Sequence, residues 1–217
     1  MLIFKISKDD KTKTRPVGAG FCFVYKERYN GCMTKFYTKK GDDGCVVIGE
    51  KKLPKDDMVF DLLGELDYIN SFLGLCRAET KNKMEDISKL LKKTQELMFI
   101  AQAEIAGVGF GLDGSKSPKI TASHTEFLEK EIEKIDGKVP EILHFIIPGA
   151  TELSARIDVV RAGIRKIERL AVLFSKEKNI SPEFLMFINR LSSFLFALAR
   201  YVNYLSGAVE EKPEYKI

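Results

Sequence analysis

Between residues 141 and 203 the chain repeats its apolar positions with a helical period. Leu153, Ile157, Val160, Ile164, Ile167, Ala171 and Phe174 recur at alternating steps of four and three, a heptad seam that predicts a helix starting after Pro148 and Gly149 and running to about residue 178. A second apolar stretch, rich in Leu191, Phe194, Leu195, Phe196, Leu198 and Tyr201, predicts another helix. It starts at Ser181 and Pro182, a cap and first-turn pair, and ends near Gly207. Upstream, Leu62, Leu66, Ile69, Leu73 and Cys76 mark the seam of a helix over about 57–79, with Asp67, Asn70, Gly74 and Arg77 on an adjacent polar stripe. Leu90, Leu97, Ile100 and Ala101 mark one over about 86–106, and a third upstream helix covers about 122–135, before Gly137 and Pro140. The glycine-rich stretch 107–118 reads as a surface loop, and strand content is expected only in the first forty or so residues. The pattern is that of an all-α protein of five helices in one domain.

Polar residues ride on these seams at spacings that put them on one face. On the fourth helix Asp158, Arg161, Arg165 and Glu168 recur at three, four and three. On the fifth, Asn189, Arg190, Ser193, Arg200 and Asn203 interleave with aromatic and leucine side chains. A charged stripe is most often a solvated face. Guanidinium and amide groups set among so much apolar surface point instead to a desolvated anion site, because Arg carries a permanent charge and a planar fork suited to phosphate oxygens. A second constellation lies in FYTKKGDDGCVVIGEKKLPKDD, where Gly41 and Gly44 bracket Asp42 and Asp43 just after Thr38, Lys39 and Lys40. Glycine lets backbone approach a ligand, and lysine supplies charge. Taken alone it is more often a polar turn than a nucleotide loop, and it lacks the spacing of a Walker A motif.

Taken in order, TKKGDDG, KDD at 55–57, GELDYINSFLG at 64–74, FIIPGATELSARIDVVRAGIRKIER and INRLSSFLFALARYVN resemble the ATP:cob(I)alamin adenosyltransferases of the PduO type, from about Met33 to about Leu205. The resemblance implies a five-helix, ferritin-like up-and-down bundle assembled as a homotrimer, with ATP and cobalamin bound between neighbouring subunits. It implies transfer of the 5′-deoxyadenosyl group of ATP to the cobalt of reduced cobalamin, with release of triphosphate, with Mg2+ present and no metal-ligating residues of the protein's own. By the same resemblance Asp67 and Arg161 form a salt bridge across the subunit interface, and Arg165 contacts the triphosphate. Glu168, Arg169 and Asn189 surround the nucleotide, and Thr38, Lys39, Gly41, Asp42, Gly44 and Lys55 form the loop that wraps ATP. Phe145 occupies the lower face of cobalt, where excluding an axial ligand eases reduction, and Ser193 also falls at the cobalamin site. The implied partners are a cob(II)alamin reductase or flavoprotein electron donor and a cobalamin-dependent enzyme that receives the product.

The chain departs from the family pattern in places. R-R-A-E-R is here Arg165, Lys166, Ile167, Glu168, Arg169; N-R-L-S-D ends in Ser193, so an acidic partner is missing; PGG is PGA with Ala150; and Tyr68 stands where an acidic residue normally follows Asp67. These bear on efficiency, since Lys does not reproduce a bidentate phosphate contact.

Composition narrows the alternatives. Of 217 residues, 45% are hydrophobic and 30% charged, which suits a soluble globular domain. Residues 1–32 hold seven Lys/Arg against three Asp/Glu, leaving 28 of each sign in the remainder, so the body is neutral and unlike a nucleic-acid surface. That leading segment lacks a secretory or transit pattern and is read as a dispensable extension, with the functional domain at 33–217. Cys22, Cys32, Cys45 and Cys76 lack metal spacing and fit a reducing cytoplasm, and no apolar run reads as a membrane span. The competing class is a non-catalytic helical carrier or sensor for corrinoid or nucleotide, against which the intact Arg161, Arg165 and Asn189 speak. A di-iron bundle needs paired Glu-x-x-His motifs, and Glu141 to His144 is a single copy.

Overall fold

The computed structural model describes residues 41–48, 51–112 and 117–215. Thr38, Lys39 and the 1–32 segment lie outside the described residues. Among the described residues, five helices follow a short hairpin: β1 (Cys45–Ile48), β2 (Lys51–Pro54), α1 (Met58–Thr80), α2 (Glu85–Phe110), α3 (Ala122–Asp136), α4 (Glu152–Phe174) and α5 (Pro182–Leu205). Helix α1 packs between α2 and α4, and α5 between α4 and α3, with a lighter contact from α5 to α2. The four-residue link after α1 forces α2 to return alongside it, as in an up-and-down bundle.

The helices start where their sequence provides an acceptor for the free amides of the first turn. Asp57 accepts from Val59 N–H at 2.9 Å, Ser181 accepts from Phe184 N–H at 3.1 Å with Pro182 following, and Thr151 and Ser154 cap each other reciprocally, each at 3.1 Å. All seven predicted seam positions of α4 are buried, as are the five of α1. Each such Leu or Ile contributes about 1.5–3 kcal/mol by leaving water, so these two seams supply much of the bundle's cohesion.

Four expectations need correction. Strands appear at Cys45–Ile48 and Lys51–Pro54, antiparallel with Val46 opposite Leu53, beyond the first forty residues. The stretch from Gly107 is not all loop, because α2 continues to Phe110. There Gly109 sits under the first turn of α1, and a Cβ on it would lie 2.2 Å from Val59 Cγ2. The glycine is an approach point between helices, which a propensity reading scores as a breaker. The core face of α2 runs through Ile87, Leu91, Met98 and Ile105, while Leu90 and Ile100 only flank it. Finally, α4 ends at Phe174, short of residue 178.

Helix α5 is long and apolar enough by length and composition to cross a membrane. Its apolar face is spent inside the bundle: Phe184, Phe187, Leu191, Phe194, Leu195 and Leu198 are all fully buried. Near its start, Glu104 of α2 is a buried carboxylate that accepts from the Ser181 hydroxyl and, at 2.7 Å, from Ile120 N–H, tying three elements together.

Candidate functional site

Helices α3, α4 and α5, the 137–151 connection and the C-terminal tail enclose a cleft of about 1160 Å³. That exceeds the usual range for a drug-sized ligand and suits a macrocycle. Its walls are apolar through Ile132, Ile135, Phe196 and Ala197, with Ile142, Phe145 and Ile146 from the connection and Pro213 and Tyr215 from the tail. Arg161, Arg165, Ser193 and Arg200 add polar groups. The fold thus gathers Phe145, Arg161, Arg165 and Ser193, four residues nominated from sequence and spread over nearly fifty positions.

Phe145 is 80% exposed, a bare ring at the cleft with little of the subunit against it. Arg161 Nε donates to Asp158 Oδ1 at 2.7 Å, and its guanidinium lies 5.9 Å from the Phe196 ring centroid, at the outer limit of a cation–π contact. Asp158 and Phe196 together fix the fork half-buried at the wall. Asp67 is exposed and makes no ion pair with Arg161 inside the subunit; the intrachain partner of Arg161 is its own-helix neighbour. One turn beyond Arg165, Glu168 accepts from Asn189 Nδ2 at 2.8 Å, so these two stand together across α4 and α5, and Arg169 is exposed beside them.

The N-terminal turn forms a separate cluster. Gly41 and Gly44 have φ of 87° and 77°, a region that L side chains rarely adopt, and the turn closes through Gly44 N–H to Gly41 O at 3.2 Å. Lys55 N–H donates to Gly44 O at 2.9 Å, and its ammonium packs over Gly41. Asp43 makes the turn's internal contacts, accepting from Cys45 N–H and pairing with Lys52 at 2.9 Å, which holds its carboxyl below the usual range. Asp42 is left exposed. None of Gly41, Asp42, Gly44 and Lys55 lines the cleft, and neither do Glu168, Arg169 and Asn189, so of the nominated ATP residues Arg161 and Arg165 are the ones on its walls.

The α5 stripe divides. Asn189 and Ser193 are exposed, but Arg190 pairs with Glu129 of α3 at 3.0 Å. Arg200 and Asn203 are buried and both bind Glu210 of the tail, at 3.0 and 3.1 Å. Their polar capacity is committed internally, which the helix pattern alone did not disclose. Among the described residues no three His, Cys, Asp or Glu side chains converge as a metal site. Those residues present no ready-made cage for Mg2+, an ion commonly held through the phosphates of a nucleotide.

A family profile described as cobalamin adenosyltransferase matches residues 36–202. A corrinoid adenosyltransferase of Bacillus subtilis is 33% identical over 175 residues, covering 80% of this chain and 89% of the relative. The chain belongs to the cobalamin adenosyltransferase family. The human corrinoid adenosyltransferase is 30% identical over 186 residues, covering 82% of this chain and 72% of the relative. Among solved structures, a phenylalanine-to-alanine variant of the PduO-type ATP:corrinoid adenosyltransferase from Lactobacillus reuteri, complexed with cobalamin and ATP, superimposes with a TM-score of 0.76 at 34% identity. The match covers 82% of this chain and 99% of that one. An arginine-to-lysine variant of the same enzyme, complexed with ATP, gives 0.76 at 33% identity, with 83% and 100% covered.

Within this adenosyltransferase framework, the departure at Lys166 has a structural account: its ammonium pairs with Glu65 of α1 and it does not line the cleft, so it clasps two helices. Sequence reading missed Lys212, Pro213 and Tyr215 as cleft residues, and Glu210 behind them. They follow the last periodic helix in a tail with no repeat, and only the acidic pair and proline in VEEKPEY marked it.

Proposed function

We propose that this chain transfers the 5′-deoxyadenosyl group of ATP to cob(I)alamin. The C5′–O bond of ATP breaks, C5′ bonds to cobalt through the electron pair of cobalt(I), and the broken bond's pair leaves with triphosphate. The observation that carries this reading is the roomy apolar cleft with an exposed phenylalanine and two arginines on its walls, in a chain of this family. Arg161 and Arg165 stabilise charge as triphosphate departs, a task that needs fixed cations and no proton transfer. Phe145 lies against the lower face of the corrin, and Ser193 contacts the same ligand. Gly41, Asp42, Gly44 and Lys55, with Thr38 and Lys39, wrap ATP, and Glu168, Arg169 and Asn189 complete its surround. Mg2+ enters bound to the phosphates.

The assembly is a homotrimer in which the turn at Gly41–Gly44 of one subunit faces α4 of the next, and Asp67 meets Arg161 across that boundary. Supporting this, the Gly41–Gly44 turn and Lys55 do not line the cleft where Arg161 and Arg165 stand, and α1 and α4 leave Tyr68, Leu75, Val159 and Val172 exposed. The 33–217 body carries the activity, in the cytoplasm, with cob(II)alamin reduced by a reductase or flavoprotein and the product passed to a cobalamin-dependent enzyme. Anaerobic incubation with ATP, magnesium and chemically reduced cobalamin tests the reaction. An alkyl-cobalt spectrum that depends on both substrates is expected; its absence from a folded trimer refutes the assignment.

A further inference from the structure

The connection that presents Phe145 has no helix or strand between Asp136 and Glu152, so contacts from outside must hold it. Two of them lead to the C-terminal tail. Arg200 Nη2 donates to Pro140 O at 2.9 Å while its Nε donates to Glu210 Oε2 at 3.0 Å, and Ile147 N–H donates to Glu211 O at 2.8 Å. The second oxygen of Glu210 accepts from Asn203 Nδ2 at 3.1 Å. Asn203 in turn meets the Thr151 hydroxyl, 3.3 Å away, at the other end of the connection. The Arg200 and Glu210 side chains are only 9% and 17% exposed, so their contact is a shielded, charge-assisted one, unlike the surface pairs elsewhere on the chain.

We propose that Glu210 is a positioning residue for cobalamin. One carboxylate locks the tail to α5, and the tail, through Glu211, locks the connection in the shape that sets Phe145 into the cleft. Without it Arg200 keeps a buried charge with its main partner gone, and both the connection and the tail residues Lys212, Pro213 and Tyr215 lose their anchor. Ordering them would then be charged to ligand binding, weakening cobalamin and sparing ATP, none of whose nominated residues belongs to the connection or the tail. The proposal rests on the reading that the cleft takes cobalamin.

Two measurements on Glu210→Ala test it. Without ligand, amide exchange of residues 140–147 should quicken by about tenfold or more while α1 and α4 keep wild-type protection. In turnover, the KM for cob(I)alamin should rise by about tenfold or more with the KM for ATP within about twofold. Unchanged exchange overturns the latch. Faster exchange with an unchanged cobalamin KM overturns its role in positioning, and equal rises in both KM values reduce Glu210 to a general structural residue. If the wild-type protein makes no adenosylcobalamin, the reaction assigned above fails instead, and exchange alone decides the latch. Should Glu210→Ala not fold, the same readings apply to Glu210→Gln, which keeps a neutral acceptor.

Discussion

Truncating Phe145 to Ala separates a packing role from a ligand role, because the structure fixes the size of each. With the ring 80% exposed in the subunit, there is almost no burial to lose. A surface substitution of this kind changes stability by no more than about 0.5 kcal/mol, which for 217 residues is a shift of roughly 1–2 °C in the thermal midpoint. A core phenylalanine would instead cost about 3–5 kcal/mol. If a corrin covers the ring, the lost contact is worth about 1.5–3 kcal/mol, or roughly ten- to hundredfold in cobalamin affinity. Saturating cobalamin then exposes the second effect. If the ring keeps the lower face of cobalt free of an axial ligand, bound cob(II)alamin in the variant shows a five-coordinate spectrum. Turnover from pre-reduced cob(I)alamin then suffers far less than turnover from cob(II)alamin with a weak reductant. Calorimetry and anaerobic visible spectroscopy read all of this. A midpoint lowered by more than about 6 °C, or equal losses from both starting states in a normally melting protein, would refute the assignment.

Arg161→Ala and Asp67→Ala should each cripple turnover with normal helical content, and the double variant should be little worse than either; full additivity rejects the pairing, and an equal loss in Asp158→Asn shows that the own-helix partner of Arg161 suffices. Glu104→Ala leaves the donors of Ile120 and Ser181 without their acceptor and should cost about 3 kcal/mol in urea unfolding; a loss below about 1 kcal/mol would show that water takes over. His124 Nδ1 accepts from Thr121 N–H at 3.0 Å, and burial, with Lys93 nearby, holds its pKa below the ordinary 6.5. The folded value being the lower one, α3 should lose stability as pH falls below 6.5, the loss being complete once pH passes the folded value. Lower protection of the 121–125 amides at pH 5 than at pH 7.5, each measured against intrinsic exchange at that pH and with the difference abolished in His124→Asn, is the expected record. Removing residues 1–32 should leave the thermal midpoint and turnover close to those of the full chain, and a marked loss of either would show that the segment packs on the body.

Hydrophobic periodicity by itself determined the helices and most of their inward faces. Every seam position read for α1 and α4 is buried, and the caps at Asp57, Thr151 and Ser181 stand where helices begin, because both features depend on residues three or four apart. The candidate chemistry on α4 was legible for the same reason, since Arg161 and Arg165 lie one turn apart and share the cleft wall. Tertiary structure decided what sequence distance hides. Gly109 belongs to a helix because Val59, fifty residues earlier, occupies the space of its missing Cβ. Arg200 and Asn203 look like free ligand groups along α5, yet a carboxylate from an unpatterned tail claims both. Lys166 reads only as a departure from the arginine of the family pattern until Glu65 of α1 is found to hold it. Local pattern specifies which face of a helix turns inward, whereas the partner of a polar group on that face is set by whichever segment the fold brings within about 3 Å.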